Sequence, residues 1–325
     1  MTINTNQHSV QNLFEKHATF QVPKYQREYA WDESAIDDFI QDISKCLLSR
    51  KTGGKRSHFF GGVVTTKVDI PPSSRQNFEV IDGQQRLASF TMLVAAVIQC
   101  AERRVSELSK KAALSNAEKK AKKYFEDTVK DLKSKYLLYR DSINLEYVDV
   151  SRLKLSNADD AYFQDLINEK NPEAKRDSHK RIFEAWTRLN NFVESEVIAS
   201  GDPLEQAQCM GLLVSGVLAE DCTIIFMWSD ERTEAFQIFQ VLNDRGVNLT
   251  DGDLLRAKTM ELLDTKAHKK IQEAVSLLWD EILSYPPKDI DDYLRWYFSS
   301  VEETRPNSAN LEDQFLKERF KCHDK

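Results

Sequence analysis

One stretch of the chain, FEVIDGQQRLASFTMLVAAVI at residues 78–98, constrains the fold more than any other. It opens as a short apolar run and breaks at Asp82-Gly83. It then resumes as a long apolar segment whose first turn holds two glutamines and an arginine. This pattern predicts a buried strand that turns directly into a core helix.

The polar residues of that turn indicate a binding site. A helix N-terminus exposes unpaired N–H groups and the positive end of the helix dipole. Gly83 lets the backbone turn and lets a ligand approach, Gln84 and Gln85 offer neutral donors and acceptors, and Arg86 adds a planar cation suited to phosphate oxygens. A phosphate site is therefore predicted. A plain capped helix, with Asp82 as the N-cap and Arg86 paired with a carboxylate, explains the same residues and stays open.

Two further segments carry glycine or cation–aromatic patterns. In VPKYQREYAW, residues 22–31, Gln26 and Arg27 lie among aromatic side chains, where a cation can grip a phosphate or stack on a base. HFFGGVV places Gly61 and Gly62 inside a strand, which predicts a bulge or a close approach to a ligand.

A third segment, residues 236–258, predicts a helix-turn-helix corner with Asn243 and Arg245 in its turn. A well-made corner explains this pattern locally. A DNA-reading role is weak, because the second helix carries only Arg256 and Lys258 as cations.

A basic loop offers a second candidate surface. Its four cations could follow a DNA backbone, and a solvated loop is the alternative. The four are Arg50, Lys51, Lys55 and Arg56.

Composition excludes some classes of protein. The chain has 325 residues and a net charge of −7, which does not fit a dedicated nucleic-acid coat. Five cysteines without a CxxC pair, after a polar N-terminus, indicate a reducing cytoplasm. The longest apolar run is far shorter than a membrane span.

The coarse pattern predicts an α+β protein. Residues 1–105 contain the predicted strands and form one part, and residues 106–325 form a mainly helical part that packs on it. Within the second part, NLEYVDV and RLKLS predict a hairpin, and CTIIFMW predicts a buried strand.

The order of four segments resembles the N-terminal domain of GmrSD-type restriction proteins and is similar to SspE-type anti-phage effectors. The resemblance runs from about residue 10 to about residue 260. The segments are VPKYQREYAW, HFFGGVV, VIDGQQRL and IFQVLNDRGVNLTDGDLL.

The resemblance implies a ParB/sulfiredoxin-like N-terminal fold that binds and hydrolyses a nucleoside triphosphate to license attack on modified or phage DNA. It implies a catalytic role for the polar residues of the DGQQR turn, and Asp82 is expected either to hold Mg²⁺, to orient water or only to cap the helix. The residues expected to act on the nucleotide are Asp82, Gln84, Gln85 and Arg86, with Tyr25, Gln26, Arg27, Gly61, Gly62, Gly83, Asn243 and Arg245 expected to bind it.

Full-length members of the family usually carry a C-terminal HNH-type nuclease domain, and we expect no such centre in these 325 residues. The nuclease is then a missing domain or a partner protein. Two alternatives remain: a module that senses nucleotide or modified DNA without turnover, and a self-contained nuclease. A homo-oligomer is left open.

Overall fold

The computed structural model describes most of the first 231 residues and part of the remainder. The described residues are 4–14, 18–23, 26, 28–68, 75–143, 145–156, 159–197, 199, 201–231, 234–235, 252, 255–256, 259, 263, 269–283, 285, 287–306, 311, 314–315 and 318.

Helices and strands are interspersed along the first part of the chain, which also contains two π-helical segments. The strands are β1 Asn4–Ser9, β2 Ala18–Gln21, β3 His58–Val68, β4 Gln76–Asp82, β5 Leu138–Ile143, β6 Glu146–Ser151, β7 Leu153–Lys154 and β8 Cys222–Ser229. The helices are α1 Val10–Phe14, α2 Glu33–Lys51, α3 Gln84–Ser109, α4 Asn116–Leu132, α5 Asp160–Ile167, α6 Asp177–Val197, α7 Pro203–Gly211, α8 Lys269–Ile282 and α9 Pro287–Glu302. The π-helical segments are π1 Lys133–Leu137 and π2 Leu212–Asp221.

The main sheet has six strands in the order β1-β8-β3-β4-β2-β7. β8 runs antiparallel to β1 and parallel to β3, while β4 is antiparallel to β3 and parallel to β2. This mixed sheet with surrounding helices confirms the predicted α+β class. The finer likeness to ParB and sulfiredoxin stays a prediction.

The strand and helix predicted from residues 78–98 are β4 and α3. Residues 87–101 of α3 are buried on every side, which is typical of a helix that runs through a core. α3 contacts α4 and α6. α4 begins with a capping box between Ser115 and Glu118, so its start is fixed independently of the core.

α2 supports the sheet beside this core helix. The Asp32 carboxylate caps its N-terminus by accepting a 3.0 Å hydrogen bond from the Ala35 amide. Helical spacing predicts one apolar face made by Ile36, Phe39, Ile40 and Ile43. All four pack toward the core, and Ile40 is only partly buried.

The predicted hairpin between NLEYVDV and RLKLS is wrong, because these two strands do not pair with each other. β6 pairs antiparallel with β5, and β7 instead pairs parallel with β2. The physical reason is π1, which ends the α4 helix early and releases residues 138–143 as a strand.

The chain's internal contacts divide it into two compact units, residues 1–23 with 28–239 and residues 24–27 with 240–325. The first unit extends beyond the predicted boundary at residue 105, because β7 and β8 belong to the same sheet as β1–β4. In the second unit, α8 and α9 contribute to a small apolar cluster of Leu255, Phe298, Leu311 and Phe315, with Trp279 and Leu294 packed against it. Most of the predicted corner at 236–258 lies outside the described residues.

Candidate functional site

The turn between β4 and α3 depends on glycine. Gly83 is the N-cap of α3 and has a φ of 94°, in the left-handed region. A Cβ on Gly83 would lie 2.5 Å from Val63 Cγ2 and 3.1 Å from the Gly62 carbonyl oxygen. Only glycine therefore fits where the chain turns against β3.

Asp82 is not the N-cap of α3, which corrects one of the three roles left open for it. Asp82 is the last residue of β4, and the N-cap is Gly83, which has no side chain to accept from the helix amides. The positive end of the helix dipole therefore lies at a glycine rather than at a capping side chain.

Arg86 lies across this turn. Its Nη1 donates to the Gly62 carbonyl oxygen at 3.2 Å and to the Asp82 carboxylate at 3.3 Å. About a third of each side chain is exposed, 34% for Arg86 and 35% for Asp82. An ion pair this exposed contributes about 0–1 kcal/mol, so another anion can compete for the guanidinium.

Gly61 and Gly62 form the predicted irregularity in β3. The pairing between β3 and β8 shifts register between Phe59 and Gly62, and Gly61 has a φ of 94°. A Cβ on Gly61 would lie 3.3 Å from Arg86 Nε. The predicted bulge is therefore confirmed, and the arginine of the motif lies against Gly61, while a close approach to a ligand stays a prediction.

Arg86 also lines a cleft of about 290 Å³. The cleft is walled by aromatic side chains and by one face of α2. Its lining residues are Trp31, Ala35, Asp38, Phe39, Asp42, His58, Phe59, Phe60 and Arg86. A larger hollow of about 520 Å³ lies between α1, α4, π1 and π2, and it includes none of the motif residues.

His58 is the titratable group deepest in the cleft wall. Its ring meets Phe60 edge to face at 4.7 Å, and its Nδ1 lies 3.4 Å from the Asp42 carboxylate. Burial lowers the pKa of His58, which favours the neutral imidazole at pH 7. Sequence reasoning missed His58, Asp38 and Asp42, although the spacing of Asp38 and Asp42 places both on one face of α2.

Gln85 is committed to the chain's own backbone, which disagrees with a catalytic role. Its Oε1 accepts from the Ala30 amide at 2.9 Å, and its Nε2 donates to the Glu28 carbonyl oxygen at 3.1 Å. The side chain is buried. Gln85 therefore fastens residues 28–30 to the start of α3. Gln84, the first residue of α3, is half-buried, and its catalytic role stays a prediction.

Several predicted nucleotide contacts lie beyond what the structure describes. Tyr25, Arg27, Asn243 and Arg245 lie outside the described residues. Gln26 is described and belongs to the second unit. The role expected for these residues stays a prediction.

Arg50 has a structural role within the basic loop. It makes a two-pronged ion pair with the fully buried Asp221, at 2.8 Å from Nε and 2.7 Å from Nη2, and also contacts Glu220. Lys51 pairs with a further carboxylate, that of Glu196. These contacts neutralise charges that were predicted to face DNA.

The other two cations of the loop are more open. Lys55 is exposed and pairs with Glu220 at 3.2 Å. Arg56 is exposed, and no ion pair is formed by it within the described part of the chain. The DNA-binding role of the loop stays a prediction, and Arg56 is its best-placed member.

The described residues contain neither a metal-binding group nor a membrane-spanning helix. Among these residues, no three His, Cys, Asp or Glu side chains gather into a group that could hold a metal ion. Asp82, the predicted metal ligand, forms an ion pair with Arg86 and belongs to no such group of described residues. Of the described helices, none combines the length and apolarity needed to cross a bilayer.

Comparison with known proteins identifies the family. No curated protein matches the chain. A family model does match, the N-terminal domain of the GmrSD restriction endonuclease, over residues 10–260. That span includes β2–β8, the DGQQR turn and the cleft. The chain therefore belongs to the family of GmrSD restriction endonuclease N-terminal domains.

Proposed function

We propose that this chain binds and hydrolyses a nucleoside triphosphate, and that this activity licenses DNA cleavage in a restriction system. The observation that carries the proposal is the start of α3. There, the positive end of the helix dipole and a partly exposed Arg86 meet at a turn whose N-cap is a glycine. Such an arrangement suits a phosphate chain.

The cleft beside Arg86 suits the rest of the nucleotide. Ligand sites usually span about 300–1,000 Å³, so a cleft of about 290 Å³ fits the nucleoside while the phosphates extend toward the helix. Trp31 and the exposed Phe59 offer faces on which a base can stack. Arg86, in the first turn of α3, is the cation that lines the cleft, and Asp38 and Asp42 line it from α2.

Arg86 supports hydrolysis by charge neutralisation. When phosphate oxygens compete with Asp82 for the guanidinium, Arg86 stabilises the charge that develops on the transferred group. Asp82 is then released to accept a hydrogen bond from water. Mg²⁺, when it accompanies the triphosphate, would add further neutralisation. The lone Asp82 fits a shared site completed by phosphate oxygens but not an all-protein cage.

The DNA partner and the nuclease belong to the same proposal. Membership of a restriction family supports a DNA target, modified or phage-derived, and Arg56 offers an exposed cation for it. Cleavage would be carried out by a nuclease domain or partner protein. We keep the cytoplasm as the expected compartment.

The deciding experiment measures phosphate release from ATP, GTP, CTP and UTP, with and without DNA. We expect Arg86→Ala to reduce turnover by about 100-fold or more, as removal of a transition-state cation does. Arg103→Ala is the matched control, because Arg103 lies on the same helix, is more exposed and pairs with Glu194. Unchanged turnover in Arg86→Ala would overturn the assignment.

A second candidate, a sensor that binds nucleotide without turnover, is favoured by one observation. Without a ligand, the Gln85 amide is occupied by backbone contacts and the Asp82 carboxylate by Arg86, so neither of these two side chains is placed to orient an attacking water. Calorimetric binding of nucleotide without phosphate release would select the sensor. Plasmid cleavage by the purified chain would select the third alternative, a self-contained nuclease.

A further inference from the structure

Residues 28–31 follow a path that side chains determine. They belong to no helix or strand, and they connect the aromatic segment of the sequence to α2. The Tyr29 amide donates to the Asp159 carboxylate at 2.7 Å, and the Ala30 amide donates to Gln85. Because buried backbone amides need acceptors, these two side chains fix where the segment runs.

Asp159 is a costly residue to bury. Its side chain is 2% exposed, and within the described residues it forms no ion pair with a lysine or arginine. Oδ1 accepts from Ser178 Oγ at 2.6 Å, and His179 Nε2 lies 3.8 Å away. The His179 ring is itself held by stacking on Tyr162 at 4.2 Å. A buried carboxylate costs stability unless donors compensate it, and here the donors are Ser178 and the Tyr29 backbone.

The same segment is tied to α3 and α6 by other contacts. The Tyr29 hydroxyl lies 2.8 Å from Ser89 Oγ, so the side chain is anchored as firmly as its amide. Arg176, beside the start of α6, pairs with Glu28 at 2.7 Å. A movement of α5 or α6 would therefore displace residues 28–30 as well.

Trp31 connects the fixed backbone of residues 28–30 to the cleft. It follows Ala30 directly, lines the cleft together with Arg86, and packs on Phe39 with ring centroids 6.1 Å apart. The position of the Trp31 ring therefore depends on the backbone that Gln85 and Asp159 hold. A displacement of about 1 Å in a binding group is enough to cost about 100-fold in activity.

We propose that Asp159 is a positioning residue of the nucleotide site, acting through the backbone of residues 28–30 on Trp31. The inference rests on the proposed function, and it assigns a role to a residue 130 positions away in sequence from the amide it holds. Asp159 lies outside the DGQQR turn and outside the cleft lining. It couples α5 and α6 to nucleotide affinity.

The test compares Asp159→Ala with Asp159→Asn. Asparagine keeps an oxygen for the Tyr29 amide and an NH₂ group for Ser178 Oγ, so it preserves both contacts. We expect Asp159→Ala to raise KM for the triphosphate about tenfold with a smaller change in kcat, and Asp159→Asn to stay within about threefold of the parent. Amide exchange of the peptide containing Tyr29 should accelerate in the alanine variant alone.

Two further variants separate positioning from general stability. Asp160→Ala is the matched control, because Asp160 also accepts two hydrogen bonds at the start of α5, from Leu155 and Gln164, but contacts neither Tyr29 nor Ala30. Ser178→Ala keeps the carboxylate and removes one donor, and it serves if Asp159→Ala does not fold. We expect a KM increase of about two- to fivefold for Ser178→Ala and none for Asp160→Ala.

The outcomes separate this inference from the proposed function. Equal KM values in Asp159→Ala and the parent, or equal losses in Asp159→Ala, Asp159→Asn and Asp160→Ala, would overturn the positioning role while nucleotide binding stands. If Asp159→Ala is unfolded, an unchanged KM in Ser178→Ala overturns it. A parent chain that binds no nucleotide would overturn both proposals.

Discussion

The guanidinium of Arg86 lies directly over the α carbon of Gly61, so closely that a methyl group there would come within 3.3 Å of Nε. The bulge in β3 and the first turn of α3 are thereby fitted to each other. Both elements therefore contribute to the candidate anion site.

Substitution of Gly61 by alanine should therefore weaken nucleotide binding. The new methyl group would displace Arg86, and the φ of 94° would be strained for any L-residue. We expect the Kd from calorimetry to rise about tenfold, in line with a loss of about 1.4 kcal/mol. Gly201→Ala, whose Cβ would meet no atom within 4 Å, should bind as the parent does. Equal Kd values in both variants would refute the fit.

Gly83→Ala should destabilise the fold itself. The left-handed conformation costs an L-residue about 1–2 kcal/mol, and the methyl group would collide with Val63. We expect the free energy of unfolding in urea to fall by about 2 kcal/mol or more. The loss in a Gly83→Ala/Val63→Ala double variant should be smaller than the sum of the two single losses, because the second change removes the Cγ2 atom in the collision. Purely additive losses would mean that the collision is absent.

Substitution of Arg50 should lower the stability of the fold, whereas substitution of Arg56 should weaken DNA binding. Arg50→Ala would leave the buried Asp221 carboxylate unpaired, and breaking such a pair typically costs about 3–5 kcal/mol. Arg56→Ala should leave the free energy of unfolding unchanged and should reduce the salt dependence of DNA binding by about one phosphate contact. Salt titrations of DNA affinity alongside urea unfolding measure both effects. A stable Arg50→Ala protein with weakened DNA binding would reverse the two assignments.

Stability should depend on pH through Asp159. Burial raises the pKa of Asp159 above 3.8, assisted by Glu28 and opposed by Ser178, the Tyr29 amide and His179. The folded protein then binds a proton that the unfolded chain releases, so the contribution of this group to stability falls as pH rises from 3.8 through the raised pKa.

Asp159→Asn removes this titration. The free energy of unfolding of Asp159→Asn should therefore increase relative to that of the parent across the same interval, and then stay level at higher pH. Urea unfolding at a series of pH values measures the difference. Asp160→Asn serves as the control. A constant difference between Asp159→Asn and the parent at every pH would show that the pKa of Asp159 is the same in the folded and unfolded states.

Local patterns in the sequence predicted much of this fold. The spacing of Ile36, Phe39 and Ile43 predicted the buried face of α2, and the apolar run CTIIFMW predicted β8. The break at Gly83 predicted the strand-to-helix turn. These features depend on residues that are close in sequence, so periodicity alone reveals them.

The remaining features depend on long-range contacts. β5 lies within the part of the chain predicted to be mainly helical, because no local signal marks the π-helical segment that follows α4. The roles of Gln85 and Asp159 depend on a backbone segment far from each in sequence. The place of Asp38 and Asp42 at the cleft depends on His58 and its neighbours in β3, which are distant in sequence from α2.

The order of strands in the main sheet also orders events during synthesis. β8 lies between β1 and β3, yet it leaves the ribosome long after both. Until residue 229 emerges, β1 and β3 have exposed edges that can pair with other chains. The bulge at Gly61-Gly62 is completed only when β8 arrives, so the candidate site is assembled late. If the proposed nucleotide binding is correct, it would begin only in chains whose first unit is finished.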